Sequence, residues 1–192
     1  MLHTSEKTHH VVGLLNKWNN AIVDDFNKYV KEVNIFRTVT KEEITRHIAQ
    51  GKGRGLHIWG EGHGVEHIQH FPSISKLIEE VDGDPNILTT AVFAAISDGK
   101  CRVNLHTDVD TEFIIHERPG KLFKRKIRQY RAHIAIEIPP EGCYFYYVDD
   151  KIKKIHWEIG KCFIFDKYNR HFTKNDSDLT RVILEYDFFQ AV

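Results

Sequence analysis

The run CRVNLHTD, from Cys101 to Asp108, is where a strand-like alternation ends in a His-x-Asp pair. Residues two apart on a strand face the same way, so His106 and Asp108 can offer an imidazole nitrogen and a carboxylate oxygen to one cation. A third ligand has to come from a distant stretch. His171 stands out by position, in FDKYNRHF between the strand-like KCFIFD and TRVILEYDFF. Two imidazoles and one carboxylate, with coordination positions left open, are the donor set of a non-haem iron(II) centre. Most of the other histidines carry less. The chain has 13, but His3, His9 and His10 fall in a polar start expected to be mobile. His57, His63, His67 and His70 crowd a glycine-rich, irregular stretch where a second metal site is not expected.

The elements that must position these residues follow from periodicity. From His9 to Val33 the apolar residues Val11, Leu14, Leu15, Trp18, Ile22, Phe26, Tyr29 and Val33 recur at spacings of three and four, which predicts an amphipathic helix. Thr40 with Glu43 forms a capping box for a second helix ending at Gly51, and Leu56 to Trp59 predicts a short strand between glycine-rich turns. A third helix starts at Phe71-Pro72-Ser73 and ends at Asp82-Gly83. Beyond it, the runs 87–96, 101–106, 111–115, 130–138, 143–148, 151–157, 161–165 and 180–188 are rich in β-formers, and turn residues separate most of them. The basic run KLFKRKIR, 121–128, reads as a solvated hairpin or loop, or else a substrate-facing lid. The expected fold is therefore mainly β with N-terminal helices: a double-stranded β-helix, a jelly-roll or cupin-like barrel. One domain over 1–192 is expected, with a helical part to residue 85 packed on a barrel core from residue 86 that carries the metal site.

Composition narrows the partners. Lys plus Arg and Asp plus Glu are 27 each, which gives no reason to expect nucleic acid or another polyanion. Cys101, Cys143 and Cys162 are odd in number and lack CxxC spacing, which reads as reduced thiols in a cytoplasmic setting. No apolar run reaches the roughly 18 residues that a membrane span needs.

The order HTD (106–108), RAH (131–133), WEIGKCFIFD (157–166), His171, TRVILEYDF (180–188) resembles the aspartyl/asparaginyl β-hydroxylase family of 2-oxoglutarate-dependent oxygenases. More weakly, GLHIWGEG, HFPSISKLIEEV and AVFAAISDGK follow the family's upstream order. The resemblance implies Fe(II) on His106 and His171, 2-oxoglutarate as co-substrate, O2 as oxidant and ascorbate as a supporting reductant. It assigns the distal carboxylate of 2-oxoglutarate to Arg181, ten residues after His171, and places Arg131 and His133 among the residues that help hold the co-substrate. Three departures stand out. Asp108 replaces the glycine typical of protein-hydroxylating members and matches the His-x-Asp…His triad of the proline cis-hydroxylase branch. The segment 109–130 is long and contains His116, a rival first ligand with no carboxylate two residues on. Ala95 falls where some members place a serine near 2-oxoglutarate. The implied activity is hydroxylation of an amino acid or amino-acid-derived small molecule. The alternatives are protein aspartyl/asparaginyl β-hydroxylation, and a non-catalytic module that binds metal and 2-oxoglutarate.

Overall fold

In the computed structural model the described residues are 2–5, 7, 9–32, 48–51, 53–60, 67–112, 114–118 and 121–192, with backbone only at 30–32, 48–50, 54, 114–118 and 121–125. Helix α1 (His10–Glu32) and helix α2 (Pro72–Asp82) confirm two of the periodic segments. Proline at the first position of α2 costs nothing, because that N–H has no intrahelical acceptor. The buried stripes, Val11, Leu15, Ile22 and Phe26 on α1 and Ile74, Leu77 and Val81 on α2, face the large sheet. Asp25 accepts the Ser73 N–H at 2.8 Å, tying one helix to the start of the other.

The strands are β1 (Leu2–His3), β2 (Ile48–Gln50), β3 (Gly53–Gly60), β4 (Ile87–Ser97), β5 (Cys101–His106), β6 (Ile114–Arg118), β7 (Lys121–Glu137), β8 (Cys143–Val148), β9 (Ile152–His156), β10 (Cys162–Asp166), β11 (Arg170–Asn175) and β12 (Arg181–Ala191). They build a seven-stranded sheet, β1-β10-β7-β12-β4-β3 with β6 on β7, and a five-stranded sheet, β2-β5-β11-β8-β9. Every pairing is antiparallel.

The expected jelly-roll barrel is overturned. The fold is mixed α/β, and the sheets do not close: β1 and β3 end one sheet, β2 and β9 end the other, and no described ladder joins them. Closure needs hydrogen-bonded pairing all the way round. Here side chains hold the sheets face to face instead: Phe145 and Tyr147 of β8, Phe163 and Phe165 of β10, Ile183 of β12, and Trp157 form one buried cluster. The opposite face of the large sheet packs on α1 and α2 in a second cluster. Alternation along the strands sorts the residues. Val182, Leu184 and Tyr186 point to the helices, while Ile183 joins the cluster between the sheets.

Other expectations shift as well. The capping box at Thr40 lies outside the described residues, and 48–50 form an edge strand. Leu2–His3 pairs with β10, and His3 and His9 are buried, so that start is anchored rather than mobile. The basic run 121–128 is the first half of β7. Arg170–Asn175, outside the strand runs expected from the sequence, is the central strand β11.

Candidate metal centre

His106 closes β5 and His171 stands near the start of β11, and the two are cross-strand partners with ring centroids 4.4 Å apart. Asp108 follows β5 after one residue. The three side chains each offer a ligand atom, and those atoms lie within 4.8 Å of one another. Among the described residues no second such group occurs. His67 bonds Tyr29 Oη at 2.7 Å, His70 stacks on Tyr29, and His57 lies beside Phe93. His63 lies outside the described residues, as does the side chain of His116.

Both histidines of the group are oriented by one local device. Nδ1–H of His106 donates to the Asn104 carbonyl at 2.7 Å, and Nδ1–H of His171 donates to the Asn169 carbonyl at 3.0 Å. A carbonyl can only accept, so each ring is fixed in the tautomer whose Nε2 lone pair faces Asp108. Nε2 of His106 is 3.4 Å from Asp108 Oδ1, and Nε2 of His171 is 3.7 Å from Oδ2. Asp108 Oδ2 is buried without a hydrogen bond. Two imidazole nitrogens turned towards a carboxylate, one of whose oxygens accepts no hydrogen bond, fit a divalent cation.

The electrostatics agree. Burial would raise the Asp108 pKa, but Arg131 and His106 outweigh it and hold the carboxyl well below its usual range. Burial pushes His171 down to about 4 despite Asp108, which keeps the ring neutral. Burial alone would lower His106, yet the neighbouring Asp108 carboxylate and the Asn104 carbonyl, which both favour the imidazolium, raise it.

Arg181 and His133 lie against the aromatic cluster between the sheets. Arg181 is 3 % exposed, donates from Nη2 to Ser97 Oγ at 2.6 Å and lies over the Trp157 ring at 4.7 Å. Its Nε and Nη1 are buried without a hydrogen-bond partner, and the charged or thiol groups that act on it are Cys143, Glu185 and Cys101. A buried guanidinium with two idle donors is costly unless an anion fills the space. His133 sits among Phe145, Trp157, Phe163 and Phe165 at 5.0–5.9 Å, and burial, with Arg131 and Arg181 nearby, holds it neutral. Arg131 shares its face of β7 but is occupied by Asp187, Glu185 and Asp108.

Sequence reasoning missed Ser97, Lys167, Glu185 and Asp187. Ser97 lies two residues beyond Ala95 and pairs in register with Arg181, so the i, i+2 rule applied to Ala95 could have found it. A separate cleft of about 440 Å³, lined by Asn16, Ile155, Trp157, Lys161 and Phe163 among others, contains none of the triad residues.

The sequence matches the model of the aspartyl/asparaginyl β-hydroxylase family over residues 16–191. No curated protein matches the chain. Similar solved structures include a Pseudomonas putida prolyl-4-hydroxylase, 12% identical with a TM-score of 0.55 over 92% of this chain and 87% of that one. A prolyl hydroxylase from Trichoplax adhaerens, in complex with a hypoxia inducible factor oxygen degradation domain peptide fragment, is 12% identical with a TM-score of 0.54 over 91% and 79%. HygX from Streptomyces hygroscopicus, with nickel and 2-oxoglutarate bound, is 10% identical with a TM-score of 0.53 over 86% and 78%. At these identities the likeness is one of fold.

Proposed function

We propose a function from one premise: the chain belongs to the aspartyl/asparaginyl β-hydroxylase family. The protein is an Fe(II)- and 2-oxoglutarate-dependent hydroxylase whose substrate is an aspartyl or asparaginyl side chain in a peptide or protein. The observation that carries the reaction type is the convergence of His106, Asp108 and His171, together with a buried Arg181 that has donors without a hydrogen bond. The family description, and a fold shared with a prolyl hydroxylase whose structure holds a peptide, support a peptide substrate over the free amino acid favoured by the sequence alone. Asp108 is the specific residue behind that second reading.

His106, Asp108 and His171 would hold the iron, which when bound supplies the O2-dependent oxidation that couples 2-oxoglutarate decarboxylation to hydroxylation of a C–H bond. Arg181 receives the distal carboxylate through a planar, two-point hydrogen-bonded pair, with Ser97 fixing the guanidinium. The aromatic wall of Phe145, Trp157, Phe163 and Phe165 excludes water from that carboxylate and stiffens the inner end of the pocket. His133, neutral in that wall, faces the co-substrate without adding charge.

The test is incubation with Fe(II), 2-oxoglutarate and ascorbate in air, offering a library of Asp- and Asn-containing peptides beside free amino acids and reading mass and succinate. One added oxygen atom on an Asp or Asn peptide, with equimolar succinate, is the expected result. Oxygen on a free amino acid alone would establish the second reading. Metal and 2-oxoglutarate binding with no turnover on any of these substrates would point to a non-catalytic module.

A further inference from the structure

Every nitrogen of the Arg131 guanidinium faces a protein carboxylate. Nε lies 2.6 Å from Asp187 Oδ1 and Nη2 lies 2.8 Å from Oδ2, a two-point grip between cross-strand partners. Nη1 lies 2.6 Å from Glu185 Oε2 and 3.2 Å from Asp108 Oδ2. The Phe93 ring packs against the guanidinium at 4.9 Å. No donor edge is left for the carboxylate of a small molecule. Arg181 differs on this point, with two nitrogens idle.

The contacts also close a circuit on Asp108. Lys167 Nζ holds Asp187 Oδ2 at 2.6 Å, and the Lys167 carbonyl accepts the Asp108 N–H at 3.0 Å. The Lys167 N–H donates to the Gln129 carbonyl at 3.0 Å, two residues before Arg131. Asp108 lies beyond the end of β5, so no ladder holds it. The circuit does so instead, gripping its main chain through Lys167 and its side chain through Arg131. The two histidines need no such help, since their own backbone carbonyls orient them.

We infer that Arg131, held by Asp187 and Lys167, is a positioning residue that presents the Asp108 carboxylate to the metal and is not a ligand of 2-oxoglutarate. The inference rests on the metal-centre reading above. It departs from the co-substrate role that the family resemblance implies for Arg131.

Cobalt(II) binding followed by calorimetry, with no co-substrate present, separates the two roles. Arg131→Met and Asp187→Asn are expected to weaken cobalt(II) binding about 10–100-fold, the usual cost of losing a residue that orients a metal ligand. The 2-oxoglutarate Kd at saturating cobalt(II) should change by less than about threefold, whereas Arg181→Met should do the reverse. In an Asp108→Gly background, Arg131→Met should add no further loss of metal affinity, because the group it positions is gone. Lys167→Met, at the rim of the network, should act in the same direction and serves if Arg131→Met does not fold. Unchanged cobalt(II) affinity with at least about tenfold weaker 2-oxoglutarate binding in folded Arg131→Met or Lys167→Met would overturn the inference. Wild-type protein that binds no cobalt(II) would overturn the metal-centre reading and this inference with it.

Discussion

Asp108 and Arg181 have opposite needs, and those needs define the site. The carboxylate has one cationic neighbour, Arg131 at 3.2 Å, and two imidazole nitrogens within 3.7 Å, yet Oδ2 makes no hydrogen bond. The guanidinium makes no described salt bridge, although the Glu185 charge acts on it, and two of its nitrogens lack a hydrogen bond. A cation at one and a dicarboxylate reaching the other would satisfy both. Charge-assisted hydrogen bonds contribute roughly 1.5–3 kcal/mol each. Arg181→Met is therefore predicted to weaken 2-oxoglutarate binding about 10–100-fold while leaving cobalt(II) affinity within a few-fold, as read by the same titrations. Ser97→Ala should weaken co-substrate binding in the same direction by a smaller factor, since the guanidinium loses its anchor but not its charge. At this scale the sequence was informative where one short motif held two of the three clustered side chains, as in His106-x-Asp108. It was silent on Ser97, Glu185, Asp187 and Lys167, whose parts depend on which strand lies beside which.

The element that sequence patterning missed is the one that carries His171. The inward positions of β11 are His171, Thr173 and Asn175, and its outward ones are Arg170, Phe172 and Lys174. Apolar alternation is absent because the face turned to the core has polar tasks. Phe172 stacks on Tyr146 across the strands at 4.4 Å, a contact that helps set the register of β11 on β8. Asn175 ends the strand as a clip: its Nδ2 donates to the carbonyls of Ser97, Asp98 and Leu179, joining the end of β4 to the β11–β12 turn. Removing a buried group that satisfies several carbonyls costs about 1–3 kcal/mol. Asn175→Ala should lower stability by that amount in urea unfolding and, because it releases the backbone of Ser97, whose hydroxyl anchors Arg181, weaken 2-oxoglutarate binding as well. Gly99 is a second fastening point of that turn. A Cβ there would come within 2.6 Å of the Asp178 backbone, so Gly99→Ala should destabilise by a similar or larger amount.

In the whole molecule, helices, a seven-stranded sheet and a five-stranded sheet form three layers, with the centre between the sheets. Strand propensity and turn spacing revealed most of the strands but could not show whether the edges meet, because closure depends on long-range pairing. The polar N-terminus looked idle for a related reason. His3 and His9 read as solvated residues until β1 pairs with β10 and His9 donates to Gln190 at 2.8 Å. With His3, His10 and Tyr130 around it, His9 is pushed by burial from 6.5 down to about 4, so the folded state disfavours the imidazolium. The unfolded chain therefore binds that proton first. The stability tied to His9 is complete above pH 6.5, falls as pH drops towards about 4 and is lost below, for roughly 3 kcal/mol in all. Urea midpoints at pH 7 and pH 4.5 should thus fall further apart in wild type than in His9→Asn. The central claim is tested most directly by succinate formation from 2-oxoglutarate in air with Fe(II) and ascorbate, comparing wild type, His106→Ala and Arg181→Met. Turnover in the wild type that is lost in His106→Ala and restored in Arg181→Met only by high 2-oxoglutarate is the predicted result. Equal turnover in all three folded proteins would contradict the account.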